Sequence, residues 1–216
     1  AESRLWRPLD NPRPARVSTF PGTAGFGLLQ RDRDYKSYVD AEARYDLRPS
    51  VWIEPGENWP EGHVRLLELS AGSEYHDNIV AAWVPAVPPA GGQRMDVAYR
   101  LRWTSASTFG GPPGMVLATR RSVRLENRPG RVKYVIDFSL PPAEAEVKGG
   151  PIRSEIIAPP PVQIAAQHMH YNDVDATWRL SFTLDAPDGT PPVDLRARLL
   201  RDGKSISETW VTTWEQ

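Results

Sequence analysis

The sequence predicts an all-β protein built from short antiparallel strands, and three observations carry that prediction. Its 216 residues include 22 prolines and 16 glycines, which leaves little room for long helices. The apolar segments are short, rich in β-branched and aromatic residues, and several alternate with period two. Turn signals fall between them, among them Arg128-Pro129-Gly130, Pro187-Asp188-Gly189 and Asp202-Gly203, as between the strands of a sandwich.

Along the chain, Gly25-Phe26-Gly27 comes first: two glycines around an aromatic mark a close backbone approach within a sheet. Lacking a third glycine and an opening helix, it is no dinucleotide fingerprint. Arg31-Asp32-Arg33-Asp34 alternates charge, so as a strand it would set both arginines on one face and both aspartates on the other. A solvated edge with cross-strand ion pairs is the plainer reading; a rigid polar wall of a cleft is the functional one. Tyr38–Tyr45 is the helical candidate, ending before the Leu47-Arg48-Pro49 turn. Strands are predicted over Val64–Leu69, Ile79–Val84, Val97–Trp103, Val132–Phe138, Trp178–Leu184, Val193–Leu200 and Ile206–Trp214. Val97, Tyr99, Leu101 and Trp103 share one face, as do Trp178, Leu180, Phe182 and Leu184, so both strands are expected to be half-buried. Ala106–Gly114 has linker composition. It divides residues 1–105, with about five strands, from residues 115–216, where about seven short strands suit an immunoglobulin-like sandwich without a disulfide.

Lysine and arginine total 26 against 27 acidic residues, a formal net charge of −1. No basic excess points to nucleic acid or to an anionic membrane. Only Lys36, Lys133, Lys148 and Lys204 are lysines. Arginine suits planar, multi-donor recognition, although a GC-rich genome gives the same bias. The absence of cysteine excludes disulfides and thiolate metal sites and leaves the compartment open. No apolar run approaches the roughly 18 residues of a membrane span, and these residues are not expected to include a signal peptide. The chain opens on Ala rather than Met, so it reads as a processed product or an excised piece; if a piece, part of any active site would lie elsewhere.

His168-Met169-His170 would set two imidazoles on one strand face, with Asp173 and Asp175 nearby. No third ligand stands at a diagnostic spacing, so no metal and no other cofactor is expected. A nucleophile elbow is absent as well. The segment Ser73-Glu74-Tyr75-His76-Asp77-Asn78 is different, because it joins two strand-like runs and should lie at the end of a sheet. Glu74 and Asp77 place two carboxylates three residues apart, with Tyr75 and His76 between. Glycoside cleavage needs a protonated carboxyl near the leaving oxygen and a second carboxylate, or a relayed water, opposite. Burial or a like-charged neighbour raises a carboxyl's pKa toward the first role. An Asx-type turn in which Asp77 only bonds local backbone fits the same residues. Across Gly25–Trp83, acids, arginines and aromatics interleave, a mixture that suits sugar: rings stack on its apolar faces and charged groups bind its hydroxyls.

GFGLLQRDRD, ARYDLRPSVW, DNIVAAWVP and the terminal SETW together closely resemble the periplasmic glucans biosynthesis proteins G and D. The likeness spans nearly the whole chain, densest over residues 25–84. The resemblance implies the C-terminal part of a large carbohydrate-active β-sandwich followed by an immunoglobulin-like β-sandwich, in the periplasm. It implies β-1,2-linked glucan as ligand, the membrane glucan glucosyltransferase as a candidate partner, and a homodimer as a candidate assembly. Some members resemble inverting endo-β-1,2-glucanases, whose Asp-Asn-Ile-Val-Ala aspartate is the general acid; that position is Asp77. The same resemblance casts Tyr45 as proton relay or water-positioning group, and Arg48, Glu74, Tyr75 and His76 as substrate contacts. It puts the general base upstream of these residues, so the chain alone is expected to be inactive. One departure stands out: the family's Glu-Thr-Asn-Asp-Asn reads Glu74-Tyr75-His76-Asp77-Asn78 here. Bulky groups beside the acid leave three readings of the parent: hydrolase, transglycosylase, or non-catalytic glucan-binding scaffold of the synthesis machinery.

Overall fold

The computed structural model describes residues 5–6, 15–21, 25–73, 76, 78–105, 114–122, 125–126, 128–140 and 150–216. They form two compact units, one of residues 15–105 and one of residues 5–6 with 114–216. Both are almost wholly β. No helix among the described residues is long and apolar enough to cross a membrane.

In chain order the elements open with β1 (Leu5–Trp6), β2 (Arg16–Pro21), β3 (Phe26–Leu28), a one-turn helix α1 (Tyr35–Tyr38) and a 3-10 turn, Tyr45–Leu47. Then follow β4 (Ser50–Pro55), β5 (Gly62–Glu68), β6 (Ile79–Pro85) and β7 (Tyr99–Thr104). The first unit holds two antiparallel three-stranded sheets, β2-β5-β6 and β3-β4-β7. An aromatic chain ties them together. Phe26 stacks on Trp83 with ring centroids 6.3 Å apart, Trp83 meets Trp59 at 5.5 Å, and Trp59 meets Tyr99 edge-on at 6.1 Å. Gly27 lets β3 lie against β4: a Cβ there would sit 2.0 Å from the Val51 carbonyl oxygen, which is the close approach expected of the Gly-Phe-Gly run.

Two expectations in this unit are corrected. Tyr38–Tyr45 is not a helix. The helix ends at Tyr38, because Val39 and Arg44 take left-handed backbone angles (φ 52° and 46°) and the Asp40 carboxylate accepts the Glu42 and Ala43 N–H groups. Local bonding by Asp thus displaces the helical ladder. Nor is the apolar face of β7 half-buried, since Tyr99, Leu101 and Trp103 are 53%, 43% and 63% exposed. The opposite face carries Arg100 and Arg102, both paired with Glu54 of β4.

The second unit comprises β8 (Met115–Arg121), β9 (Arg131–Ser139), β10 (Arg153–Ile157), β11 (Gln163–Asn172), β12 (Thr177–Asp185), β13 (Val193–Arg201), β14 (Lys204–Ser205) and β15 (Thr209–Trp214). One sheet runs β11-β12-β9-β8; the other runs β1-β15-β13-β10, with β14 also on β13. Labelled A to G, strands β8, β9, β12 and β11 form the A-B-E-D sheet and β10, β13 and β15 the C-F-G sheet, which is the immunoglobulin constant-type topology. The core between them follows from strict alternation. Val132, Tyr134, Ile136 and Phe138 of β9 lie beside Leu180, Phe182 and Leu184 of β12 on one inner face, and the other sheet supplies Leu195, Ala197, Leu199, Trp210 and Trp214. Tyr134 stacks on Phe182 at 5.4 Å, and Trp210 meets both edge-on. The Trp210 indole N–H donates to Thr119 Oγ1 at 2.9 Å, which satisfies the polar end of a fully buried ring. β1 runs parallel to β15 and extends the C-F-G sheet.

Candidate functional site

The stretch from Gln30 to Ser50 is held by side chains rather than by regular structure. After β3 the chain leaves the sheet, so Arg31–Asp34 is not the alternating strand the charge pattern suggested. Asp32 Oδ1 accepts the Asp34 N–H at 2.9 Å, and Asp34 Oδ1 accepts the Lys36 N–H at 2.9 Å as the N-cap of α1. These aspartates satisfy local backbone donors, a stronger claim on them than a ladder edge. The Asp34 N–H bond, followed by a Ser37 contact, also holds the Asp32 carboxyl below its usual pKa.

Arg33 turns inward. Its guanidinium donates to the Arg48 carbonyl at 2.8 Å and to Ser50 Oγ at 3.2 Å. Gln30 is the other node. Its N–H donates to Ser50 Oγ at 3.0 Å, and its amide nitrogen faces three oxygens: Tyr38 Oη at 2.7 Å, the Asp32 carbonyl at 2.8 Å and the Tyr45 carbonyl at 3.3 Å. The Tyr38 hydroxyl donates in turn to the Asp32 carbonyl at 3.0 Å. Burial pushes the Tyr38 pKa up, which keeps that donor protonated.

On this frame the structure brings together two of the sequence-derived site residues. Tyr45 and Arg48 bracket the 3-10 turn, and the Arg48 guanidinium carbon lies 5.3 Å from the Tyr45 ring centroid in a cation–π arrangement. Tyr45 is half-buried against the Tyr38 ring, 5.9 Å away, while Arg48 is exposed. Between them, Asp46 is buried and clamped by both arms of the Arg44 guanidinium, at 3.0 and 2.9 Å. That clamp holds the Asp46 carboxyl below its ordinary pKa. The result is a pinned turn presenting a guanidinium and a phenol ring edge, chemistry suited to sugar hydroxyls.

Glu74, Tyr75 and Asp77 lie outside the described residues. Their connection is closed at its base, where the Leu69 N–H donates to the Asn78 carbonyl at 2.8 Å. His76, within it, is exposed, and its N–H donates to the Ser73 carbonyl at 3.3 Å. In the second unit, His168 and His170 do share one face of β11, with ring centroids 5.3 Å apart. No cluster of three or more His, Cys, Asp or Glu among the described residues could hold an ion. Sequence reasoning missed Gln30, Tyr38 and Ser50 as a supporting shell, and read Arg33 as part of an alternating strand rather than as a brace. The one available signal was an uncharged amide, Gln30, immediately ahead of a run of four charges.

The comparisons with known proteins agree on one family. A family model described as "Periplasmic glucan biosynthesis protein, MdoG" matches residues 1–214. Glucans biosynthesis protein G of Pectobacterium atrosepticum is 39% identical over 217 residues, covering 95% of this chain and 42% of the relative. Glucans biosynthesis protein G of Pseudomonas aeruginosa is 38% identical over 218 residues, with the same coverage. Glucans biosynthesis protein D 2 of Ralstonia nicotianae is 38% identical over 220 residues, 96% of this chain and 40% of the relative. The chain therefore spans about two fifths of the length of these relatives.

Proposed function

The chain belongs to the periplasmic glucan biosynthesis protein (MdoG) family, and from that premise we propose that its parent protein cleaves β-1,2-linked glucan in the periplasm. The proposed reaction is inverting endo-hydrolysis that trims the glucan backbone. Asp77 donates the proton to the leaving glycosidic oxygen, and Tyr45 orients the attacking water or relays its proton toward a base supplied by the rest of the parent. Arg48 and Glu74 hold a glucose unit through its hydroxyls, and Tyr75 and His76 shape the subsite beside the acid. The observation that carries the reading is the pinned Tyr45–Arg48 turn. Its guanidinium is stacked on a tyrosine and exposed, while its backbone is tied to residues 30–33. Such preorganisation is what a site acting on a neutral, hydroxyl-rich polymer needs.

A second reading has its own observation. On the resemblance, Tyr75-His76 replaces a small Thr-Asn pair, and an altered water path would favour a glucan-binding scaffold or a transglycosylase. The full-length parent incubated with linear β-1,2-glucan separates these readings. Hydrolysis predicts shorter chains with the native protein and, for Asp77→Asn, a rate lower by about a thousandfold or more. Unchanged chain length with glucan still bound supports the scaffold; products longer than the substrate support transfer.

A further inference from the structure

We propose that Gln30 and Arg33 are positioning residues, two braces that fix the Tyr45–Arg48 turn in the register its proposed glucan contact requires. The proposal rests on the reading of Tyr45 and Arg48 given above. Apart from the Arg44–Asp46 pair, the turn has weak internal support. It is a single 3-10 turn closed by two bonds, Leu47 N–H to the Arg44 carbonyl at 3.0 Å and Arg48 N–H to the Tyr45 carbonyl at 3.2 Å. Turns of this kind do not persist alone. Its entry residue, Arg44, has φ 46°, a conformation costly for a side-chain-bearing residue and kept only where surroundings over-determine it.

The surroundings do so from one short stretch of chain. Gln30 holds the N-terminal end through the Tyr45 carbonyl, and through Tyr38, whose ring packs on Tyr45. Arg33 holds the C-terminal end through the Arg48 carbonyl. The Arg33 side chain also donates to the Oγ of fully buried Ser50, two residues beyond Arg48, which the Gln30 backbone N–H bonds as well. With three oxygens around it, the Gln30 side-chain nitrogen has its amide orientation dictated by the network, and no carboxylate can replace it without leaving an unprotonated oxygen against the Asp32 and Tyr45 carbonyls. A lysine at position 33 keeps one donor for the Arg48 carbonyl but loses the fork that reaches Ser50 as well.

The test uses the full-length parent with Gln30→Glu, Arg33→Lys and Arg33→Leu. Two readouts are taken: steady-state cleavage of linear β-1,2-glucan, and the rate of tryptic cleavage after Arg44. Loss of the Gln30 brace, at the Tyr45 end, predicts a fall in kcat of about 10- to 100-fold, and loss of the Arg33 brace, at the Arg48 end, a similar fall together with a rise in KM, because Arg48 holds the glucose unit. Arg33→Lys should lie between native and Arg33→Leu. It also predicts tryptic cleavage after Arg44 faster by about fivefold or more, because the turn opens locally. Should Gln30→Glu not fold, Gln30→Met, similar in length and uncharged, replaces it. If the native parent cleaves glucan and the folded variants keep native kcat, or change KM alone, the braces are not positioning residues. If the native parent does not cleave glucan, the hydrolase reading fails, and cleavage after Arg44 alone decides the brace: faster supports it, unchanged overturns it.

Discussion

At Asp137, on β9, a nearly buried carboxylate lies between two arginines. Arg179 holds it bidentately at 2.6 and 3.0 Å, and Arg120 approaches its Oδ2 at 2.5 Å. The Arg179 bonds are the main reason its pKa lies below the ordinary carboxylate value, with burial opposing them and Arg120 adding to them. A carboxyl with a depressed folded-state pKa contributes stability that is complete above its unfolded pKa and is lost as pH falls through the folded one. Asp137→Asn should therefore destabilise the protein at pH 7 by about 1–3 kcal/mol, at the low end because both arginines reach solvent. Thermal denaturation checks this. The gap between native and variant melting temperatures should close as pH falls below about 4; a gap constant from pH 7 to pH 3 would contradict the linkage. None of this clamp was legible in the sequence, because Arg120, Asp137 and Arg179 meet only through the register of three strands. The same holds for Arg33 and Ser50. Tyr45 and Arg48 were singled out through the resemblance, by its Tyr-x-x-Arg-Pro block, and the structure adds that the two side chains meet on one turn.

Among elements, legibility followed how far a strand's own pattern decides its surroundings. β12 was read correctly, with Leu180, Phe182 and Leu184 all fully buried, because strict alternation in a central strand specifies its inner face. β7 shows the same alternation, yet its apolar face is exposed; burial there depends on what packs over it, which a pattern cannot state. β11, on the edge of its sheet, is largely exposed, with a bulge between Ala165 and His168. Its sequence carries few β-branched residues to announce it. The helix over Tyr38–Tyr45 failed because Asp40 bonds the backbone locally, a competition that propensity does not weigh. Gly27 gives a sharp element-scale prediction. Since a Cβ would lie 2.0 Å from the Val51 carbonyl oxygen, backbone against side chain, Gly27→Ala should separate β3 from β4 and destabilise the first unit by about 2 kcal/mol or more. Native-state hydrogen exchange of the β4 amides would show it; unaltered protection there would mean that β3 moves to make room.

For the whole molecule, the immunoglobulin-like unit carries a closed core of its own, with Trp210 and Trp214 fully buried between two sheets. The first unit buries only Phe26 and Val64 as apolar residues among those described, and leaves Trp103 63% exposed. The chain spans about two fifths of the length of its relatives, and the proposed mechanism takes its base from the rest of the parent. The 216-residue chain by itself should leave linear β-1,2-glucan intact, and measurable cleavage would show that the second catalytic group has been placed wrongly. The central claim is inverting cleavage with Asp77 as the acid, and time-resolved proton NMR of the first reducing ends released from linear β-1,2-glucan by the full-length parent tests it most directly. The account predicts α-configured ends from the native protein and none from Asp77→Asn. β-configured ends, or release that survives in Asp77→Asn, would contradict it.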